Sequence, residues 1–193
     1  MSDAEHRLKG RGAVTRAGLL AAAEEVFAAK GYAEAGVTDV VARANASVGS
    51  LYHHFSGKAE LYLTLFEEFQ ARQTDRVNQA ARQARRSGPA TDPMPVFLSA
   101  ARAYLDGCLE ERELAALFLR GDGPPGFDLI VRERLRTFAQ RNATLFENQP
   151  ALVVVVTGAL AAAVSEVVLS GDEGLAEEVL EVIAQIRPAP PAG

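Results

Sequence analysis

The sequence predicts an all-α protein of about nine helices, in which a small N-terminal helix-turn-helix domain precedes a larger helical domain. Two features of the whole chain predict this class. Apolar residues recur at intervals of three and four, and no segment shows the alternation of a half-buried strand. A third observation is local: the stretch ANASVGSLYHHF, residues 44–55, gathers polar and aromatic groups within a chain rich in Ala, Leu and Val.

The composition is that of a folded protein from a reducing compartment. Of the 193 residues, 48% are hydrophobic and 23% are charged. Cys108 is the one cysteine, which excludes an intramolecular disulfide, and one cysteine with three histidines does not make a structural zinc site of the usual ligand spacing. The segment from Met1 to Gly12 lacks the apolar core of a secretory signal. We therefore expect a cytoplasmic protein without a metal or cofactor.

Charge divides the chain unevenly. Residues 1–60 contain equal numbers of basic and acidic residues, so the formal net charge of −5 arises from the remainder. Arg7, Lys9 and Arg11 cluster ahead of the first predicted helix. We interpret residues 1–14 as a flexible basic arm that could contact the phosphates or a groove of a polyanion, although a charged terminus is commonly just solvated.

The first helices follow from periodicity and capping residues. A helix is predicted from Thr15 to Lys30, and Gly31 follows it as a left-handed terminator. A short second helix runs from Val37 to about Ala44, with Gly36 at its N-cap.

A tight turn then leads into a third helix. Asn45 accepts a left-handed conformation and Ser47 is a strong N-cap, so the third helix spans Val48 to His54. Within it, Leu51 and Phe55 share one buried face, which leaves the polar and aromatic groups on the other.

A short helix, a tight turn and a second short helix with a polar face are typical of helix-turn-helix DNA binding. Ser50 and His53 can bond base edges, Val48 can meet a thymine methyl group and Gly49 permits close approach. Tyr52 can donate to a phosphate, and Lys58 adds positive charge at the next helix. Alternatively, Tyr52 and the two histidines are half-buried packing residues, and the protein is a helical adaptor that does not bind DNA.

The span from Thr15 to Phe66 resembles the N-terminal DNA-binding domain of the TetR (tetracycline-repressor) family of bacterial transcriptional regulators. The residues that carry the resemblance are Ala22-Ala23, Phe27, Lys30-Gly31-Tyr32, Val37, Asp39-Val40, the run from Ser47 to Phe55 except Val48, and Lys58-x-Glu60-Leu61. Two positions depart from the family pattern. Gly36 stands where Ser or Thr is usual, so Thr38 is the candidate to supply the missing hydroxyl, and Asn45 stands where Gly is usual. The predicted DNA contacts are Thr38, Ser47, Val48, Gly49, Ser50, Tyr52, His53, His54 and Lys58.

The resemblance implies that the rest of the chain dimerises and binds a small molecule, so that a homodimeric repressor is released from a palindromic operator by an effector. We expect residues 15–57 to form the DNA-binding domain, residues 58–187 to form the effector-binding and dimerisation domain, and residues 188–193 to be disordered. Periodicity in the second domain predicts helices over 58–86, 96–110, 113–120, 127–147, 150–169 and 175–186. The sequence GDGPPG, residues 121–126, predicts a hinge-like loop.

The segment from Ala151 to Leu169 is long and apolar enough to span a bilayer, but it has no aromatic or basic anchors. A helix that is apolar all round fits a subunit interface better. Gly158 and Ala162 provide a track of small residues for close approach, and the last helix adds a second apolar stripe. That stripe contains Leu175, Val179, Val182 and Ile186, and the two helices together predict a four-helix dimer interface.

Candidates for an effector site combine aromatic area with a few polar groups: Tyr104, Cys108, Phe118, Phe138 and Asn142. The alternative is that these residues are simply core. We find no sign of an enzyme, because the adjacent histidines lie on the predicted recognition helix and Cys108 has no identifiable activating neighbour.

Overall fold

The computed structural model describes residues 3–87, 92–147 and 149–186, with side chains from residue 12 onward. Within these ranges the chain forms nine helices and no strand, which confirms the all-α class. The helices are α1 (Asp3–Glu34), α2 (Val37–Arg43), α3 (Val48–His54), α4 (Lys58–Ser87), α5 (Met94–Glu110), α6 (Arg112–Leu119), α7 (Phe127–Leu145), α8 (Pro150–Ser170) and α9 (Glu173–Ala184). The tail expected to be disordered, residues 188–193, lies outside the described residues.

The beginning of α1 differs from the flexible arm that we expected over residues 1–14. The helix starts at Asp3, so the backbone of residues 3–14 is helical and continuous with the first predicted helix. No proline interrupts this stretch, and Gly10 and Gly12 each cost only about 1 kcal/mol in a helix, which weakens it without ending it. At its other end α1 is kinked at Gly31, whose φ of 77° and ψ of 169° belong to a region open essentially to glycine alone.

The chain divides into two compact units, and the division differs from the predicted boundary at residue 58. The first unit comprises Met1–Phe69 and Leu117–Pro125, and the second comprises Gln70–Ala116 and Gly126–Gly193. The boundary therefore falls inside α4, and the GDGPP part of the expected hinge loop belongs to the first unit. Sequence periodicity could not reveal this, because the contacts that hold a distant segment leave no local signal.

The core of the first unit is formed by α1, α2, α3 and the first turns of α4. The best-buried side chains lie on all four helices, and they include Leu19, Phe27, Val40, Leu51, Phe55, Leu61 and Tyr62. Three of the rings pack edge to face or tilted, with centroids 5.7 Å apart for Phe27 and Tyr62 and 5.2 Å apart for Tyr32 and Tyr62. This core holds the recognition helix in place.

In the second unit, α8 packs between α7 and α9, and α5 packs against both α8 and α9. The guanidinium of Arg112 closes the end of α8, donating to the carbonyl oxygens of Val168 at 2.7 Å and Leu169 at 2.8 Å. Gly171 then ends the helix with φ 72°, and Asp172 caps α9 by accepting from the Leu175 N–H. Among the described residues, α8 is the one helix long and apolar enough to cross a membrane, and 44% of its apolar window is buried inside the chain.

Candidate DNA-binding site

The turn between α2 and α3 is built as its sequence predicts. Asn45 adopts a positive φ of 49°, and the Ala46 N–H donates to the Val41 carbonyl oxygen at 2.9 Å, which closes the turn. Ser47 then caps α3, with its Oγ accepting from the Ser50 N–H at 3.0 Å. The predicted left-handed conformation of Asn45 and the predicted N-cap at Ser47 are both confirmed. Together they set the angle between α2 and α3.

One face of α3 is buried and the other is open to solvent. Leu51 and Phe55 are buried, whereas the side chains of Val48 and Tyr52 are 42% and 54% exposed. Gly49 and His53 are also exposed, and Ser50 is half-buried. An exposed surface that carries a β-branched group, a phenol and an imidazole is suited to reading base edges and phosphates rather than to packing.

His54 stands apart from that exposed surface. Its side chain is half-buried, and its Cε1 is 3.8 Å from the position that a Cβ would occupy on Gly12 of α1. Its ring also packs edge-on against His53, with centroids 5.0 Å apart. His54 therefore packs against α1 and against the His53 ring, and its predicted contact with DNA stays a prediction.

The N-terminus of α2 is capped without a hydroxyl at Gly36. Asp39 takes over, because its Oδ2 accepts from the Gly36 N–H at 3.0 Å and its Oδ1 pairs with the Lys30 ammonium at 2.9 Å. The hydrogen bond from Lys30, followed by that from the Gly36 backbone, lowers the pKa of Asp39. Thr38 beside it is exposed, so its hydroxyl remains available to a phosphate.

Lys58 occupies a position that sequence analysis did not predict. Its ammonium donates to the carbonyl oxygens of Tyr32 at 2.8 Å and Ala33 at 3.1 Å, and it lies 4.4 Å from the centroid of the Tyr32 ring. An ammonium has three donors, so one remains for a phosphate after these two bonds. Lys58 is thus anchored at the end of α1 and can still act as the predicted phosphate contact.

Every lysine and arginine from residue 12 to residue 69 has a partner inside the first unit. Arg16 pairs with Glu68 at 3.5 Å, Lys30 pairs with Asp39, Arg43 pairs with Glu25, and Lys58 bonds the two carbonyls. Sequence analysis missed these pairings. Arg7, Lys9 and Arg11 belong to the helical backbone of α1, but their side chains lie outside the described residues, so their DNA contacts stay a prediction.

The five effector-site candidates are divided between the two units. Phe118 belongs to the first unit, and the other four belong to the second. In the second unit the Asn142 amide donates to Thr157 Oγ1 at 3.0 Å, and Tyr104 hydrogen-bonds with Gln70 and Cys108. Burial raises the pKa of the Cys108 thiol to about 12, so it stays protonated at neutral pH. Asn142 and Cys108 are buried while Phe138 is half-buried, an arrangement that favours a core role for the first two.

The predicted dimer residues lie on exposed or half-buried surfaces of the second unit. Gly158 and Ala162 are exposed on α8, and no atom outside its own helix backbone lies within 4 Å of a Cβ built on Gly158. On α9, Val182 is 63% exposed, whereas Leu175 and Val179 are half-buried. Ile186 is also half-buried, but it lies beyond α9, which ends at Ala184 and not at residue 186 as predicted. The residues of α9 that point into the unit are instead Ala176, Leu180 and Ile183.

Comparison with known proteins identifies the family of the N-terminal domain. Residues 19–65, which contain the helix-turn-helix, match the model of the bacterial regulatory proteins of the TetR family. These residues form a helix-turn-helix domain of the TetR family. It is 40% identical over 91 residues to the HTH-type transcriptional activator FasR of Mycolicibacterium smegmatis, covering 47% of this chain and 39% of FasR. It is 32% identical over 76 residues to the HTH-type transcriptional repressor BepR of Brucella suis, covering 39% of this chain and 36% of BepR.

These matches span less than two fifths of the length of either curated relative. Solved structures extend the likeness of fold to nearly the whole chain. A TetR-family regulatory protein from Rhodococcus RHA1 gives a TM-score of 0.71 at 21% identity, covering 91% of this chain and 98% of that one. The fatty acid degradation regulator FadR from Bacillus halodurans also gives 0.71, at 17% identity, covering 91% of this chain and 97% of that one. The chain therefore has the TetR fold, in which the DNA-binding domain comes first.

We predict that the exposed TetR recognition residues and Lys58 affect DNA binding in different ways. Ser50→Ala or His53→Ala should change discrimination at one base pair by about 1–3 kcal/mol, because each would remove a predicted base contact. Lys58→Ala should weaken all duplexes alike and lower the salt slope by roughly one unit. Fluorescence anisotropy at several salt concentrations measures both, with Lys30→Ala as the matched control. Equal losses on specific and random DNA for His53→Ala would show a backbone contact instead.

Proposed function

We propose that this TetR-family chain is a cytoplasmic transcriptional regulator that binds a palindromic operator as a homodimer, represses transcription and is released by a small-molecule effector. The observation that carries the DNA-binding part is the exposed surface of α3, on which Val48, Tyr52 and His53 face solvent while Leu51 and Phe55 anchor the helix. In this mode the second helix of the motif enters a major groove.

The homodimer is supported by apolar surface that the single chain leaves uncovered. On α8 the side chains of Val154, Val155 and Leu169 are 71%, 50% and 56% exposed. With Gly158 and Ala162 they form one face of the helix, opposite the face that is buried inside the unit. An exposed apolar face of this extent is typical of a subunit interface.

Release by an effector is supported by the way in which the chain connects the two units. It passes between them within α4, within α6 and again after Pro125. A ligand that changes the second unit therefore has three covalent routes to the DNA-binding unit. Because DNA geometry sets the spacing of the half-sites, a coupling of about 1–3 kcal/mol is enough to lower operator affinity roughly 5- to 150-fold.

Selection from random duplexes tests the DNA-binding function. We expect a palindrome whose half-sites are separated by roughly one helical turn, on the order of 10 base pairs, or a multiple of it. Selection of no sequence, together with no shift of any duplex at low salt, would support the alternative of a helical adaptor. A promoter–reporter assay then decides repression against activation, since the relatives named above include one of each.

Binding of the effector and binding of the operator should weaken each other by the same factor. A compound that stabilises the protein in a thermal-shift screen should bind the operator complex more weakly than the free protein, by the same factor as it weakens operator binding. Isothermal titration of the compound into both forms measures that factor. Identical affinities would exclude the compound as an inducer, and the same result for every stabilising compound would leave a regulator controlled by its own abundance.

A further inference from the structure

The segment Leu117–Pro125, which we name the return segment, is a non-contiguous part of the DNA-binding unit. The chain leaves this unit after Phe69 and comes back to it at Leu117. Phe118 anchors the return segment on α4, because its ring packs at 5.4 Å from the Tyr62 ring, 5.0 Å from Phe66 and 5.5 Å from Phe69. Three ring contacts at such distances make this a packed piece of the unit rather than a loop lying over it.

Beyond Phe118, the return segment bonds the backbone of α1 near its C-terminal end. Asp122 Oδ2 accepts from the Ala33 N–H at 3.1 Å, and the Arg120 guanidinium donates to the Ala28 carbonyl oxygen at 3.3 Å. Gly31 makes the approach possible, because a Cβ at that position would lie 2.7 Å from Asp122 Oδ2. The kink at Gly31 and the carboxylate of Asp122 are therefore fitted to each other.

Asp122 and Lys58 both form hydrogen bonds with the backbone of Ala33. The N–H of Ala33 donates to Asp122, while the carbonyl oxygen of Ala33 accepts from the Lys58 ammonium. Backbone groups at a helix end that lack such partners are left to water and fray. Asp122 thus fixes the residue whose carbonyl oxygen helps to set the position of the Lys58 ammonium.

We propose that Asp122 is a positioning residue for operator binding, which acts by holding Ala33 so that Lys58 presents its remaining donor to a DNA phosphate. This inference rests on the proposed DNA-binding function and adds to it a residue far along the chain, contributed by the return segment. Asp122 itself carries the wrong charge to touch DNA. Removing the Asp122 side chain should therefore weaken operator binding if the residue has a positioning role, and should strengthen it if only its charge matters.

Removal of the Asp122 carboxylate and removal of the Asp128 carboxylate should change operator affinity in opposite directions. Removing a negative charge from a DNA-binding protein ordinarily strengthens its attraction to a polyanion. Asp128→Ala, on the exposed surface of α7 where Asp128 pairs with Arg132 at 3.6 Å, should follow that rule. Asp122→Ala should do the opposite and weaken operator binding about 2- to 10-fold, the equivalent of one hydrogen bond. Asp122→Asn, which keeps an oxygen acceptor, should recover most of the loss.

Two further measurements locate the effect. In the free full-length protein, NMR-detected amide exchange at Ala33 should be at least about tenfold faster in Asp122→Ala than in Asp128→Ala, since the amide loses its acceptor. In a Lys58→Met background, which keeps the side-chain stem but removes the donors, Asp122→Ala should cause little additional loss of affinity. Asp122→Asn, checked by thermal melting, keeps the comparison valid if the alanine variant folds poorly.

The outcomes are distinct. Operator affinity that is unchanged or raised in a folded Asp122→Ala variant overturns the positioning role, and so do losses that add fully to those of Lys58→Met. Unchanged exchange at Ala33 overturns the contact itself. If the wild-type chain bound no duplex, the proposed function and the positioning role would fail together, while the exchange rate would still report whether Asp122 holds Ala33.

Discussion

We expect Ala162→Glu to convert the proposed homodimer to a monomer and to abolish tight operator binding. Ala162 is exposed on the α8 face that also carries Val155 and Gly158. The carboxylate of a glutamate introduced at this position would therefore be buried against the same surface of a second copy. Burying an unpaired charge at an interface costs several kcal/mol. Each subunit would then bind one half-site alone, and losing the second attachment lowers operator affinity by about 100- to 10,000-fold.

The matched control for this variant is Ala143→Glu, which introduces the same charge at an exposed position of α7. Sedimentation velocity over a range of protein concentrations gives the oligomeric state, and anisotropy on a selected operator gives the affinity. Both variants should keep the wild-type helix content, since alanine and glutamate are both good helix formers. A dimer that survives Ala162→Glu would show that the exposed face of α8 is not where the subunits meet.

Several helix boundaries could be predicted because local chemistry marks them, although the start of α1 at Asp3 was not among them. Asn45 and Ser47 set the turn before α3, Pro150 begins α8, and Gly171 with Asp172 separates α8 from α9. Each signal acts over a few residues, through a capped N–H or a positive φ, and can therefore be recognised in the sequence. The exposed surface of α3 followed in the same way, from the burial of Leu51 and Phe55 four residues apart.

The contacts that could not be predicted join residues far apart in the chain. Asp122 bonds Ala33 across 89 positions, and Lys58 bonds the same residue across 25. Nothing in the sequence GDGPPG distinguishes a hinge from a segment packed on a distant helix, because the local turn chemistry is the same for both. The assignment of the effector candidates to two different units could not be predicted for a related reason, since helical spacing describes one face of one helix and does not show which unit that helix joins.

The contact between the Gln73 side chain of α4 and Gly107 of α5 belongs to the same class of long-range contact. Gly107 is buried on α5, and a Cβ there would overlap Gln73 Oε1 and lie 3.0 Å from Gln73 Cδ. Gln73 is 1% exposed, and its Nε2 donates to Glu111 Oε1 at 3.1 Å. Glu111 in turn accepts from Arg72 Nε at 2.8 Å, so the amide has little freedom to move aside.

We expect Gly107→Ala to destabilise the protein by about 1–3 kcal/mol, the usual cost of overpacking a fitted interior position. Helix propensity predicts the opposite sign, because alanine is favoured over glycine in a helix by about 1 kcal/mol. Gly18→Ala, at an exposed position of α1 with no atom outside its own helix backbone within 4 Å of the new Cβ, should show that gain and serves as the control. Urea unfolding at one protein concentration measures both. Gln73→Ala should reverse most of the loss in the double variant, since it removes the atoms that the new methyl group would strike. If Gly107→Ala instead stabilised the chain as Gly18→Ala does, the Gln73 side chain would have to be free to move away from the new methyl group.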